Sequence, residues 1–193
     1  MNSTETEQKP KSGSAIKEII EQMELIAIVF AVVILAFSFV FRTCQVNGAS
    51  MENTLYHKET VVISNAFYTP KRNDIIVFHQ TGDTYNEPIV KRVIGLPGDT
   101  VNIVYHEDYM EVTVIDANGN AEILQEEYVK YEGARYYRNS STYVEEGTVF
   151  AMGDNRSNSS DSRSASIGLI DDRRILGKVY FRITPFSRMG TVK

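Results

Sequence analysis

An uncharged stretch at residues 25–41, LIAIVFAVVILAFSFVF, limits what this 193-residue chain can fold into more than any other feature. As a helix it is apolar on every face, and its length of about 25 Å approaches the roughly 30 Å hydrocarbon core of a bilayer. Ile19 and Ile20 extend it at its amino-terminal end. Because a helix without a polar face must be covered by lipid or by a large protein core, we predict a transmembrane helix over residues 19–42.

Two other interpretations of this helix are a buried core helix and a cleavable signal peptide. No other segment is apolar enough to cover such a core helix, and residues 1–24 hold three lysines and five glutamates where a signal peptide has a short positive region. The lysines before the helix outnumber the nearby basic residues after it, Arg42 and Lys58, so the positive-inside rule predicts a cytoplasmic N-terminus. Residues 1–18 are expected to form a disordered cytoplasmic tail.

The overall composition excludes several classes of function. With 20 Lys+Arg against 25 Asp+Glu, the net charge is −5 and no basic block could follow a phosphate backbone, so we expect no nucleic acid partner. The single cysteine, Cys44, excludes an intrachain disulfide and a Cys-rich zinc site. The three histidines form no short-spaced metal pair, so we predict no metal and no cofactor. The oligomeric state is left open.

The pattern changes from helix to strand at about residue 43. Short β-branched and aromatic runs, separated by turn signals, predict strands at residues 60–63, 74–78, 89–94, 101–105, 112–115, 148–152 and 178–183. The sequence DANGN at residues 116–120 predicts a hairpin with a primed turn. Only residues 123–130 offer a short helix. We therefore predict one mainly β extracytoplasmic domain over residues 43–193.

Two residues of this domain could carry nucleophilic chemistry. Ser50 follows Arg42 by eight residues, at most about 28 Å of extended chain, so it should act near the membrane surface. Lys91 shares a strand face with Ile89 and Val93, where burial would lower the pKa of its amine. The lysine pKa must fall by about three units from its reference near 10.4 to give a useful neutral base. The alternative is that Lys91 extends to solvent and only its stem packs.

A polar loop at residues 153–163, GDNRSNSSDSR, is too polar for a strand. Side chains of this kind can hold a catalytic group by hydrogen bonds, cap backbone groups or bind a cation. Calcium is a weaker interpretation because the loop carries only two acids and lacks the EF-hand pattern.

These segments together resemble type I signal peptidases, the bacterial leader peptidase family of membrane-bound serine proteases with a Ser-Lys dyad. The matching segments, in family order, are SMENTL at 50–55, DIIVF at 74–78, KRVIGLPGD at 91–99 and GDNRSNSSDSR at 153–163. The resemblance covers about residues 15–190. It implies a coiled, β-barrel-like catalytic domain behind one transmembrane helix.

The resemblance also implies roles for individual residues. Ser50 would be the nucleophile and Lys91 the general base, and the Ser50 backbone N–H would meet the developing oxyanion. Ser159 matches the serine that orients the lysine amine in the family. The remaining supporting polar residues are Asp154, Asp161 and Arg163. Gly48 stands where some members carry a serine hydroxyl, so a second oxyanion donor would have to come from elsewhere.

The implied reaction is the removal of signal peptides from secreted preproteins after Ala-x-Ala sites, on the outer face of a bacterial cytoplasmic membrane. Shallow apolar pockets explain a preference for small side chains, and the matching substrate-binding positions are Val46, Gly48, Met51, Leu55, Ile89 and Val90. One departure is Asn53, where the family usually has proline. We expect the turn to be looser there and activity to survive.

Other classes of protein remain as alternatives. A non-catalytic membrane-anchored β domain could bind a partner through residues 153–163, and it would need no buried lysine. A self-cleaving Ser-Lys repressor peptidase should carry a DNA-binding domain, where this chain has an apolar helix. A Ser-His-Asp hydrolase could use His57 or His79, but each histidine has polar neighbours and is expected at the surface.

Overall fold

The computed structural model describes residues 12–80, 87–133 and 138–192. A single long helix, α1 (Ser12–Val40), precedes the strands. It begins before the predicted start at residue 19, and the charged groups of Lys17 and Glu21 lie 3.8 Å apart one turn from each other. Residues 1–11 of the predicted tail lie outside the described residues. The part at Ile16–Val40 is long and apolar enough to cross a membrane and is not buried against protein.

The described residues after α1 form short strands and two 3₁₀ turns. The strands are β1 (Arg42–Gln45), β2 (Thr60–Ser64), β3 (Ile75–Phe78), β4 (Ile89–Gly95), β5 (Thr100–Tyr105), β6 (Met110–Ile115), β7 (Ala121–Ile123), β8 (Ser140–Tyr143), β9 (Thr148–Met152), β10 (Ile170–Asp171), β11 (Ile175–Thr184) and β12 (Gly190–Thr191). The mainly β prediction is confirmed. All seven predicted strands are present, as β2–β6, β9 and β11.

Two local predictions need correction. The helix expected at residues 123–130 is absent, because residues 121–123 pair with β6 as β7 and Lys130 forms an isolated bridge with Asn155. The hairpin at residues 116–120 is confirmed, but its turn is not primed. Among its residues only Gly119 has a positive φ (+86°), which is typical of a three-residue loop that closes with a left-handed glycine.

The strands form two antiparallel sheets. The larger one curls, with strand order β1-β2-β11-β3-β4-β9-β10 and β12 paired to β11; the smaller one has the order β7-β6-β5-β8. Side chains of β3 alternate between two apolar clusters: Ile75 and Val77 enter one, and Ile76 and Phe78 enter the other. Burial on both faces therefore fixes the register of β3 against β4, the strand that carries Lys91.

Candidate active site

Apolar side chains buried in the core hold the turn that carries Ser50 in place. Met51 and Leu55 are almost completely buried in the cluster that also holds Ile75 and Val77. The backbone N–H of Leu55 donates to Met51 O at 2.7 Å, which closes the turn. The apolar residues after Ser50 thus fix its position from the core side.

Asn155 holds the same turn from the side of the polar loop. Its backbone N–H donates to Ser50 O at 3.0 Å, and its side-chain Nδ2 donates to Ala49 O at 3.1 Å. Asn155 is itself buried. Through Asn155, the loop at residues 153–163 therefore holds the two successive backbone carbonyl groups of Ala49 and Ser50.

Lys91 is buried in the centre of the large sheet. It lies on β4 between β3 and β9, and only 3% of its surface is exposed, so it does not extend to solvent. Its Nζ lies 2.7 Å from Ser50 Oγ and donates to Val90 O at 2.9 Å. Burial lowers the pKa of Lys91 to about 8, although the carboxylates of Asp161 and Asp154 act to raise it. The amine is thus able to act as a base near neutral pH.

Asp161 is the buried carboxylate that organises the polar loop. It accepts from Ser159 Oγ at 2.7 Å, from Gly153 N–H at 3.0 Å and from two nitrogens of the Arg163 guanidinium at 2.8 Å. Burial acts to raise the pKa of Asp161, but the Arg163 guanidinium and the other donors hold it below its ordinary value. The Ser159 hydroxyl points to Asp161, while the Lys91 amine donates to Val90 O, so the orienting role of Ser159 stays a prediction.

Gly153 allows the loop to approach the nucleophile closely. A Cβ atom at this position would lie 2.2 Å from Ser159 Oγ and 2.5 Å from Ser50 O. These separations are far inside van der Waals contact, and Ser50 O belongs to the backbone. Any side chain at residue 153 would therefore displace the turn that carries Ser50.

A buried ion pair joins the three segments of the site. Arg92 donates to Asp154 through Nε at 2.9 Å and through Nη2 at 2.7 Å, and both side chains are almost fully buried. The Thr54 hydroxyl donates to the same carboxylate. The Arg92 guanidinium also stacks on the Tyr128 ring, 3.8 Å from its centroid. This pair ties β4 to the nucleophile turn and the polar loop.

A cleft of about 390 Å³ opens beside Ser50 and Lys91. Most of the residues predicted to bind substrate line it, namely Val46, Gly48, Met51, Ile89 and Val90. Leu55 does not, because it is fully buried in the core below. Further lining residues that the sequence reasoning missed are Asn47, Ala49, Glu87, Pro88, Asn158 and Ser160.

Neither His57 nor His79, both of which the structure describes, forms a hydrogen bond with the Ser50 hydroxyl. His57 Nδ1 accepts the Gly48 backbone N–H at 3.2 Å, and the bond of the Ser50 hydroxyl is with Lys91. The His79 backbone N–H donates to Arg174 O on the far side of β3. This arrangement disfavours the histidine alternative.

The sequence matches a known family over most of its length. A family model described as signal peptidase, peptidase S26, matches residues 19–184. The chain belongs to this signal peptidase family. Family membership indicates that the chain is a serine peptidase.

Individual signal peptidases resemble the chain along nearly its whole length. Signal peptidase IB of Staphylococcus aureus (strain COL) is 33% identical over 181 residues, which cover 89% of this chain and 92% of that protein. Signal peptidase I of Bacillus licheniformis is 34% identical over 185 residues, covering 93% and 96% respectively. A crystal structure of signal peptidase I from Enterococcus faecalis V583 is 30% identical, covers 57% of this chain and 97% of that one, and has a TM-score of 0.41.

Asn53, where the sequence predicts a looser turn, has a left-handed backbone conformation. It has a φ of +82°, and its Nδ2 donates to Tyr128 O at 3.3 Å. Asparagine tolerates this left-handed conformation better than most residues, whereas the proline ring fixes φ near −65°. The turn at residue 53 is thus built for asparagine.

Replacing Asn53 with the proline that the family usually has is expected to destabilise the protein. Because the required φ is inaccessible to proline, we expect Asn53→Pro to lower the free energy of unfolding by about 2 kcal/mol or more. Asn53→Gly is the matched control, since glycine adopts this φ readily and loses only the bond to Tyr128. Urea unfolding measures both, and an Asn53→Pro variant as stable as Asn53→Gly would contradict this account of the turn.

The sequence did not predict an ion pair that supports the polar loop. Arg156 is fully buried and forms a two-bond ion pair with Glu126, which lies thirty residues earlier in the chain. Arg156 Nε also donates to Gly153 O at 3.1 Å. Arg156 lies within a matched motif, but no pattern around Glu126 pointed to it. The segment around Glu126, which lies outside the polar loop in the sequence, therefore stabilises the loop through this ion pair.

Proposed function

We propose that this member of the signal peptidase family is a membrane-anchored serine endopeptidase that removes signal peptides from preproteins, with Ser50 as nucleophile and Lys91 as general base. The observation that carries the proposal is the 2.7 Å separation between the Ser50 hydroxyl and a buried lysine amine. A serine hydroxyl is a weak nucleophile unless an adjacent base takes its proton. Lys91, with its lowered pKa, is the base within reach.

The proposed reaction runs in two steps through an acyl-enzyme. The neutral Lys91 amine accepts the hydroxyl proton as Ser50 Oγ attacks the scissile carbonyl, and the resulting ammonium gives that proton to the leaving amine. A water molecule, deprotonated by the same amine, then hydrolyses the ester to Ser50. Because Val90 O accepts one N–H of the Lys91 amine, the nitrogen lone pair can stay directed at Ser50.

The Ser50 backbone N–H is the proposed oxyanion donor. No acceptor for it is found within the described residues, so it can meet a developing negative charge. The Gly48 N–H, by contrast, already donates to His57. A second donor therefore does not come from the amide of Gly48.

The cleft supports the preference for small side chains at Ala-x-Ala sites. Three apolar side chains of its lining, Val46, Met51 and Val90, are each at most 6% exposed, so the walls that they form are closely packed. Larger side chains would clash with these walls. The preference is for small residues at the first and third positions before the cut.

The apolar helix supports an attachment to the bacterial cytoplasmic membrane, with the N-terminus inside and the β domain outside. A preprotein is held in the same bilayer by its own apolar segment. Enzyme and substrate would then meet in two dimensions at a raised effective concentration. This arrangement would favour the cleavage of membrane-held substrates over free peptides.

The proposed function is tested by incubating the full chain, in detergent, with a preprotein bearing an Ala-x-Ala site. We expect cleavage after the second alanine, a large loss when that alanine is replaced by phenylalanine, and a loss of at least about 10³-fold in Ser50→Ala. Circular dichroism establishes that the variant is folded. Cleavage by Ser50→Ala at the wild-type rate, or equal cleavage of both preproteins, would contradict the proposal.

The alternative of a non-catalytic domain that binds through residues 153–163 has little support. The charged side chains of this loop turn inward: Asp154 and Asp161 are fully buried and Arg156 is 1% exposed. Asp154 and Arg156 bond to other parts of the same domain, and Asp161 bonds to donors within the loop. They are therefore not presented to a partner.

A further inference from the structure

The carboxylate of Glu87 stands at the rim of the cleft and has no cationic partner among the described residues. Glu87 is exposed and lines the cleft, and its Oε2 accepts a hydrogen bond from Asn47 Nδ2 at 2.7 Å. Asn47 is neutral, and no ion pair of Glu87 is found within the described residues. The bond joins the two chain segments that line the cleft, residues 46–51 and 87–91.

Glu87 precedes Lys91 by four residues in the chain. Because extended chain rises about 3.3 Å per residue, its Cα atom lies about 13 Å along the cleft wall from the Cα atom of Lys91. An extended substrate that follows this wall rises by the same amount per residue. Its side chain about four residues before the cut would therefore lie level with Glu87.

The local charge makes this position selective. Glu87 is the only acidic residue in the cleft lining described by the structure. A substrate ammonium or guanidinium can replace the Asn47 amide as the donor and form a charge-assisted bond, which is stronger than the neutral one. A substrate carboxylate at the same place would meet a like charge. Charges on the rim of a binding site act mainly on the association rate and are weakened by salt.

We propose that Glu87 is a specificity-determining residue that favours preproteins with Lys or Arg about four residues before the cut. This inference rests on the proposed function, because it assumes that the residues before the cut lie along the segments 46–51 and 87–91. It adds a preference for charge to the preference for small side chains next to the cut.

The test uses three peptides with one Ala-x-Ala site that differ only in Lys, Gln or Glu four residues before the cut. For the wild-type protein we expect kcat/KM to decrease in that order, with a ratio of about tenfold between the Lys and Glu peptides at low salt. Raising the salt concentration to 0.5 M should reduce this ratio. In Glu87→Gln, the ratio should fall to about twofold or less.

The matched control is Glu146→Gln, which removes an exposed carboxylate from a turn outside the cleft and lowers the total negative charge equally. It should keep the wild-type ratio. If Glu87→Gln also keeps the ratio, or if the wild type cleaves all three peptides equally, Glu87 does not select charge. These outcomes are measured in active enzymes, so they are distinct from a complete absence of cleavage, which would overturn the proposed function itself.

Discussion

Lys91→Met is expected to lower kcat/KM for an Ala-x-Ala preprotein by at least about 10³-fold, because it removes the base that contacts Ser50 while the buried stem is retained. The wild type should gain activity as the pH rises through the Lys91 pKa of about 8. The neutral amine makes up about a tenth of the molecules at pH 7 and about nine tenths at pH 9. Initial cleavage rates between pH 6 and 10 measure both effects.

The same substitution should stabilise the folded protein. The pKa of Lys91 is lowered from 10.5 to about 8 on folding, so the unfolded chain binds more protons between these values. Stability should therefore rise with pH across that window, and below about pH 8 the burial of the charged amine costs roughly 3 kcal/mol. At pH 7 we expect Lys91→Met to unfold at higher urea concentration than the wild type, with the difference disappearing towards pH 10.5.

Lys71→Met provides the control, since Lys71 is exposed and lies outside the cleft lining. It should change neither the cleavage rate nor the pH profile. A Lys91→Met protein that is folded and still cleaves at an appreciable rate would exclude the lysine as base. If the stability of the wild type and that of Lys91→Met depend on pH in the same way, the pKa of Lys91 is not lowered on folding.

Asp154→Ala is expected to destabilise the protein by about 3–5 kcal/mol, a large part of the total stability of an ordinary domain. The change leaves the Arg92 guanidinium buried without its two-bond partner and removes the acceptor of the Thr54 hydroxyl. Activity should fall as well, because the pair joins β4 to the nucleophile turn. Urea unfolding followed by circular dichroism measures the change.

Two comparisons show whether the loss of stability in Asp154→Ala comes from the buried ion pair between Arg92 and Asp154. Arg173→Met removes an ion pair with Asp171 at a side chain that is 90% exposed, and should leave the unfolding midpoint nearly unchanged. The double variant Arg92→Met with Asp154→Leu should recover much of the stability lost in Asp154→Ala, because no unpaired charge remains buried. If the double variant is less stable than Asp154→Ala, the penalty does not come from the loss of the carboxylate that neutralises Arg92.

The strands were predictable because their signals are local. β-branched runs marked β2–β6, β9 and β11, whereas the spacing around Lys91 left both burial and extension to solvent open, and the structure shows burial. The pairing of Lys91 with Ser50 came from the family resemblance and from no spacing in the chain. The structure brings the two side chains into contact.

The features that were missed depend on contacts between distant segments or on backbone conformation. β8 (Ser140–Tyr143) consists of polar residues and is a strand only because it pairs with β5. Leu55 belongs to a matched motif, but an apolar residue in a motif can enter the core as well as a cleft wall. Asn53 has a positive φ, which the neighbouring residues in the sequence do not predict. Each of these outcomes is decided by tertiary structure.

The place of β11 in the large sheet bears on when the enzyme becomes active during its own synthesis. β11 (Ile175–Thr184) is the last long strand of the chain, yet it lies between β2 and β3, and β3 pairs with the strand of Lys91. A growing chain that already contains Ser50 and Lys91 cannot complete this sheet. Until β11 emerges and inserts, we expect Lys91 to stay hydrated and protonated, so that Ser50 has no base. The two proposed catalytic groups are thus made early, but their activity is expected to wait for the last tenth of the chain.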